Sequence, residues 1–387
     1  KARWVAGWPV CVLGFDGHWL EAASPVYVLL NLGSPGLQNS QSVTNTGPAI
    51  HELTHHPILP KANEAVNVTC HAHDPDGLAS LDLEYRIDPS LGYNVVTMKD
   101  DGTGGDLLAG DGVFTGQIPG QPVGTIAAFR AKAIDSHASP VASYFPSTDV
   151  RQYALVRFGD PDPSGVFGSY IIWMSETNSD FFFSLPHKSD HMHDITFVYE
   201  NYRVIYNGGM RKRGHVSRGF NNFWDGVYAC ELPKSDRFLG GNKFKIDAPI
   251  FKFGENPAYI LQEYHAFWVA READVAAALM RFIRVRVNGL DVLRHHYQPP
   301  TRDFCKSWHG DDDPVVHKAS IFDPLVNYVR TDGVKAKAKY RVCSLKKKTS
   351  MPSDSFQTIH SLVAASVSGS PDEIDARMAA MIEPYEW

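Results

Sequence analysis

Apolar and polar residues alternate along three segments of the first half of the chain, 66–71, 81–86 and 129–133. A period of two places one set of side chains on the buried face of a strand and the other set in solvent. Residues typical of turns separate these segments, at 74–77 and at 100–112. The pattern predicts an all-β sandwich of about 90 residues, the size of one immunoglobulin-like or fibronectin-like module.

The pattern changes after residue 150. Strand signals at 196–206 and 282–287 alternate with a segment at 258–279 whose apolar residues have helical spacing. Net charge changes at the same place, because residues 1–150 carry 7 basic and 15 acidic side chains, and residues 151–387 carry 30 and 28. We therefore expect a multidomain chain in which the sandwich is followed by an α+β lobe.

Three domains are predicted from these boundaries. They are a partial β domain with a linker at 1–45, the sandwich at 46–150 and a partial α+β domain at 151–387. The chain begins at Lys1 without a methionine, which is typical of a processed or partial segment.

Composition excludes several classes of protein. A formal net charge of −6 argues against a nucleic-acid-binding protein, and no apolar run approaches the length of a membrane span. A hydrophobic content of 43% is enough to fill ordinary cores, so the chain is not disordered as a whole. The five cysteines include no CxxC pair and do not indicate a compartment.

Residues 51–55 form a literal HExxH motif. On a helix, its two histidines would bind zinc and its glutamate would act as a general base. Pro57 and Pro60 follow at once, however, and would end a helix at about His56. The context predicts entry into a strand, and any weak affinity of the histidines for a divalent metal is a separate question.

An aspartate- and glycine-rich segment lies at 100–112. Calcium prefers clustered oxygen ligands on a backbone that can bend around the ion, although the spacing here is not that of an EF-hand. Two interpretations stay open, a pair of Asp-Gly hairpin turns and a loop stabilised by calcium. The candidate ligands are Asp100, Asp101, Asp106 and Asp111.

Two other charged segments carry weaker signals. The basic segment 208–214 could lie over phosphates, but a solvated hairpin tip is the preferred interpretation. The run at 311–313 is interpreted as a solvated acidic loop.

Many of these segments together resemble the spore-coat CotH kinase-like family of secreted bacterial proteins. The upstream segments are similar to a fibronectin-like module, and residues 20–45 are similar to the close of a lamin-tail-like β domain. The resemblance runs in the same order along most of the chain. The segments that carry it are 73–77, 83–88, 100–114, 196–199, 203–208, 211–214, 238–240, 262–263, 284–289 and 298–300.

This resemblance implies an atypical protein kinase that transfers phosphate from ATP to protein serines. Such a site needs a strand lysine that holds the phosphates and a helix glutamate that pairs with it. Lys245 and Glu263 are the candidates for binding the nucleotide, with Lys243 as the alternative lysine. The metal-binding aspartates of the family would follow Trp387, and residues 295–297 stand where relatives often carry acidic residues.

The 1–387 chain is therefore expected to be catalytically inactive, and ATP with magnesium or manganese would bind only if the parent protein is an active kinase. The alternative is a non-catalytic structural or adhesive protein that uses the kinase-like lobe as an interaction module. The resemblance implies a secreted or cell-surface location, with a protein partner or self-assembly and without nucleic acid. Calcium is the candidate structural cofactor if the loop at 100–112 is more than a pair of turns.

Overall fold

The structure is a computed structural model in which β-strands predominate. The chain divides into two compact units, one made of 1–226 with 283–293 and the other of 227–282 with 294–387. The structure describes residues 19–21, 27–29, 43, 45–147, 149, 152–185, 189–213, 227–247, 258–310, 317–319, 345–347, 370 and 372–373.

Among the described residues, ten strands precede residue 158 in the first unit. They are β1 (Trp19–Glu21), β2 (Tyr27–Leu29), β3 (Ala49–His56), β4 (Val66–His73), β5 (Leu78–Ile87), β6 (Asn94–Thr97), β7 (Val113–Ile118), β8 (Ile126–Asp135), β9 (Ala142–Phe145) and β10 (Ala154–Arg157). The first two pair only with each other among the described residues. The others form a three-stranded sheet, β3-β4-β7, and a five-stranded sheet, β10-β8-β5-β6 with β9 on β8.

Alternation along these strands buries one face of each sheet. Val66, Val68 and Cys70 on β4 are almost fully buried, and so are Leu81 and Leu83 on β5. The buried side chains of both sheets belong to one hydrophobic cluster. Two antiparallel sheets that share one core are the arrangement expected of a sandwich. The immunoglobulin-like or fibronectin-like assignment stays a prediction.

The remaining elements include three helices among the described residues. In chain order they are β11 (Gly168–Trp173), α1 (Glu176–Ser184), β12 (His193–Tyr199), β13 (Arg203–Lys212), β14 (Tyr228–Glu231), β15 (Lys243–Asp247), α2 (Ala258–Glu272), β16 (Met280–Val287), β17 (Leu290–Tyr297), α3 (Arg302–His309), β18 (His317–Ala319) and β19 (Leu345–Lys347). The last two strands pair with each other.

The predicted α+β kinase-like lobe is wrong. Seven strands follow one another in a closed barrel, in the order β11-β12-β13-β14-β15-β17-β16, and no kinase-like lobe is evident in the described part of the chain. The expected helix exists as α2, but strands dominate the region. Residues 169–173 of β11 are all buried, so this strand has an apolar run rather than alternation. Strands that are buried on both faces escape a search for a period of two.

The predicted division at residue 150 stays a prediction. β10, which follows that position, pairs with β8 in the five-stranded sheet of the first unit. As for membranes, no helix among the described residues has the length and apolarity needed to cross a bilayer.

Candidate metal-binding loop

Three aspartates come together in the loop between β6 and β7. Asp100, Asp106 and Asp111 each offer a carboxylate oxygen, and these oxygens all lie within 4.8 Å of one another. Among the described residues, no other group of three or more His, Cys, Asp or Glu side chains meets this criterion. The loop is the strongest candidate site of the described chain.

Backbone amides fix the position of Asp100. Its Oδ1 accepts hydrogen bonds from the N–H groups of Gly110, at 2.6 Å, and Asp111, at 3.2 Å. Its Oδ2 accepts one from the N–H of Gly112 at 3.0 Å. Gly110 has φ 74° and Gly112 has φ 83°, values that glycine adopts without a steric cost. The glycines therefore let the chain fold back around this carboxylate.

The other two carboxylates are also held by the backbone. Asp106 accepts a hydrogen bond from the N–H of Gly102 at 2.6 Å and is only 8% exposed. Asp111 accepts one from the N–H of Val113 at 2.9 Å. The three side chains are therefore held in place from several points of one loop.

Asp101 lies outside this group, although the sequence grouped four aspartates together. Its Oδ1 accepts hydrogen bonds from the side chain of Thr103, at 2.6 Å, and from the backbone N–H of that residue, at 3.0 Å. Its carboxylate also pairs with Lys99 at 3.6 Å. The hydrogen bond from the Thr103 hydroxyl is the largest cause that lowers the pKa of Asp101 below its usual value. Asp101 therefore caps its own turn.

The HExxH motif lies on strand β3, as the sequence analysis predicted, and not on a helix. His55 is fully buried. Its Nε2 donates to the carbonyl oxygen of Ile58 at 3.1 Å, so its Nδ1 accepts from the hydroxyl of Tyr206 at 2.5 Å. Burial lowers the pKa of His55 to about 4. This histidine is a neutral part of the core.

The predicted nucleotide residues lie in the second unit. Lys245 is on β15, and its Nζ lies 4.8 Å from the centre of the Tyr297 ring. Lys243 pairs with Glu231 at 2.9 Å, a partly exposed contact. Residue 263 is within α2, but the side chain of Glu263 lies outside the described residues. The Lys245–Glu263 pair therefore stays a prediction, and residues 311–313 also lie outside the described chain.

The basic segment is not a hairpin tip over residues 208–212, because these residues belong to strand β13. Lys212 is only 3% exposed, and its Nζ lies 5.3 Å from the centre of the Phe182 ring. Burial lowers the pKa of Lys212. In the sequence, Gly208 and Gly209 suggested a turn. In the structure they continue the pairing of β13 with β12, opposite Ile195 and Asp194.

Sequence reasoning missed one unusual group in the second unit. His295 is 1% exposed, and neither ring nitrogen has a hydrogen-bond partner among the described residues. Its ring lies 4.4 Å from that of Phe282 in an edge-to-face contact. Burial lowers the pKa of His295, and the nearby charge of Asp247 opposes that shift. Nothing in the sequence around residue 295 signals a buried imidazole.

Comparison with protein-family models and with curated proteins finds no match to this chain. The resemblance to the CotH kinase-like family therefore stays a prediction that rests on the segments quoted above.

Proposed function

We propose that the chain is a non-catalytic structural or interaction segment of a secreted or cell-surface protein, and that one calcium ion bound by Asp100, Asp106 and Asp111 stabilises its sandwich. The observation that carries the proposal is the meeting of three carboxylates within 4.8 Å in one glycine-rich loop. Calcium takes its ligands from carboxylate and carbonyl oxygens.

The hydrogen bonds of the loop leave room for an ion. Each carboxylate has about four lone-pair positions, so the three side chains offer about twelve. Five N–H groups occupy positions on them, those of residues 102 and 110–113. The remaining positions belong to like charges that lie close together, an arrangement that a divalent cation stabilises. The competing interpretation is that these N–H groups alone hold the turns.

The closed barrel that replaces the expected kinase-like lobe favours a non-catalytic role for the part of the chain after residue 150. Phosphoryl transfer depends on metal ions held by acidic or amide side chains next to a phosphate-binding lysine. Among the described residues, the one group of three or more clustered acidic side chains is the Asp100 loop, for which we propose a structural role. A protein partner or self-assembly is part of this proposal, because a segment that has no catalytic role would act by binding other molecules.

Thermal unfolding with and without calcium tests the proposal. Calcium modules of extracellular proteins bind at about 10⁻⁴–10⁻³ M, so about 10 mM calcium is close to saturating. Stabilisation of up to about 2.7 kcal/mol would raise the Tm by about 5–10 °C relative to EGTA. The rise should vanish in Asp100→Asn and persist in Asp101→Asn, the matched control beside it. A Tm rise of the same size in both variants, or no rise in the wild type, would leave only the interpretation that the loop is a pair of Asp-Gly turns.

A further inference from the structure

Two histidines lie opposite each other on neighbouring strands of the three-stranded sheet β3-β4-β7. His51 on β3 and His71 on β4 are directly opposite in the strand register. Their rings are stacked, with centroids 5.1 Å apart and planes 13° from parallel. Opposite residues of antiparallel strands have Cβ atoms about 5 Å apart, close enough for both imidazoles to reach one ion. Imidazole is the commonest protein ligand of transition metals.

A bulge brings a carboxylate to the same pair. The register of β3 against β4 shifts between His51 and Thr54, and Glu52 within this bulge has φ 54°. A glutamate in the left-handed region costs on the order of 1–2 kcal/mol, and bulges often re-aim a side chain at a functional site. The Glu52 carboxylate, which is largely exposed, lies with Oε2 at 3.4 Å from Nε2 of His71.

That distance is long for a hydrogen bond, for which about 2.9 Å is usual. It is an ordinary distance for a histidine–carboxylate pair, and it is also close to the edge of a metal tetrahedron. Two ligand atoms that each lie about 2.0–2.1 Å from a tetrahedral zinc ion are separated by ~3.3 Å. The Glu52–His71 contact of 3.4 Å therefore has room for a zinc ion between the two atoms.

We propose that His51, His71 and Glu52 form a binding site for a divalent transition-metal ion such as zinc. The ligand atoms of these three residues do not all lie within 4.8 Å of one another, so the exposed His51 ring has to turn toward the ion when it binds. A cavity of about 350 Å³ borders the site and is lined by Glu52 and His71 together with Thr54 and Thr69. It leaves space for a water molecule or a small ligand as the fourth ligand.

This site differs from the zinc-protease site that HExxH would make on a helix. The first histidine and the glutamate of the motif take part, but the third ligand is His71 from the neighbouring strand. The second histidine of the motif, His55, is held in the core by Tyr206 and Ile58. The inference does not rest on the proposed calcium loop, because calcium prefers oxygen ligands and zinc prefers imidazole.

Zinc titration of the full chain without a histidine tag, followed by calorimetry at pH 7.5, tests the site. His51→Ala and His71→Ala should each weaken the tightest zinc binding at least about tenfold, since even outer-shell partners of a metal are worth that much. Glu52→Gln should weaken it less. His73→Ala is the matched control and should bind like the wild type, because His73 is exposed on the same strand but faces Ala49.

Two further measurements keep the outcome clear. Each variant is first melted in EDTA, where His51→Ala should unfold at the wild-type temperature because His51 is exposed; if His71→Ala unfolds early, His71→Asn replaces it. Asp100→Asn should keep zinc binding, which separates this site from the calcium loop. Unchanged zinc affinity in both histidine variants, or an equal loss in His73→Ala, would overturn the proposal.

Discussion

The buried histidines His55 and His295, one in each unit, differ in whether their ring nitrogens are hydrogen-bonded. His55 of the first unit is fully buried and both ring nitrogens are hydrogen-bonded, to Tyr206 and to Ile58. His295 of the second unit is equally buried, but its nitrogens have no partner among the described residues. A buried polar atom without a partner costs about 1–3 kcal/mol.

The difference is confined to these two histidines, because the first unit also contains buried polar atoms without a partner among the described residues, on Tyr153, Ser169 and His193. Both ring nitrogens of His55 are hydrogen-bonded, and backbone hydrogen bonds hold the Asp100 loop in place. In the second unit His295 is a local weakness. We therefore expect substitutions at the two histidines to have opposite consequences for stability.

The largest effect is expected for His55→Ala. The change removes a buried ring and leaves the Tyr206 hydroxyl without its partner, so the free energy of unfolding should fall by about 3–5 kcal/mol. Urea unfolding measures this loss. His56→Ala, at the exposed neighbouring position, should change it by less than about 0.5 kcal/mol. Equal effects of the two substitutions would mean that the His55 pairing contributes little.

Acid should weaken the fold through the same histidine. Burial lowers the pKa of His55 from 6.5 to about 4, so the unfolded chain binds more protons between these values. The free energy of unfolding is therefore unaffected by this group above pH 6.5. It falls by about 3 kcal/mol at most as the pH drops toward 4. Unfolding curves at several pH values measure the slope. A His55→Phe variant should show a shallower loss, and an unchanged slope would contradict the assignment.

His295→Leu should have a smaller effect, with the opposite sign. Replacing an imidazole that has no hydrogen bonds by an apolar side chain of similar size removes an unpaired polar group, so stability should stay constant or rise by about 1 kcal/mol. Thermal unfolding of the variant checks this. A loss of more than about 2 kcal/mol would show that His295 makes a stabilising bond.

No change is expected in a phosphotransfer assay. The full chain, incubated with labelled ATP, magnesium or manganese and a serine-rich acceptor, should incorporate no phosphate. Lys245→Ala should therefore be indistinguishable from the wild type. Incorporation that disappears in this variant would restore the kinase interpretation and place catalytic carboxylates elsewhere in the chain.

The sequence pattern predicted the strands that have one buried face and one solvent-exposed face. The alternation at 66–71, 81–86 and 129–133 corresponds to β4, β5 and β8, and Pro57 correctly argued against a helix at the HExxH motif. Strands without a wet face, such as β11, gave no period, so the closed barrel was missed.

Of the candidate loop, the sequence indicated a folded segment rich in aspartate and glycine, and its role as a metal site stays a prediction. The aspartates and glycines of 100–112 indicated a folded loop, and three of the four carboxylates meet there. Asp101 does not, because its bonds to Thr103 are local and cannot be chosen from composition. The pairing of His51 with His71 depends on strand register, which a single sequence does not specify in advance.

Calorimetric titration of the full chain with calcium tests the central claim most directly. The account predicts saturable binding of one ion per chain, which Asp100→Asn and Asp106→Asn abolish and which Asp101→Asn retains. Absence of any binding heat, or binding that survives loss of Asp100 and Asp106, would contradict the claim that this loop is a calcium site.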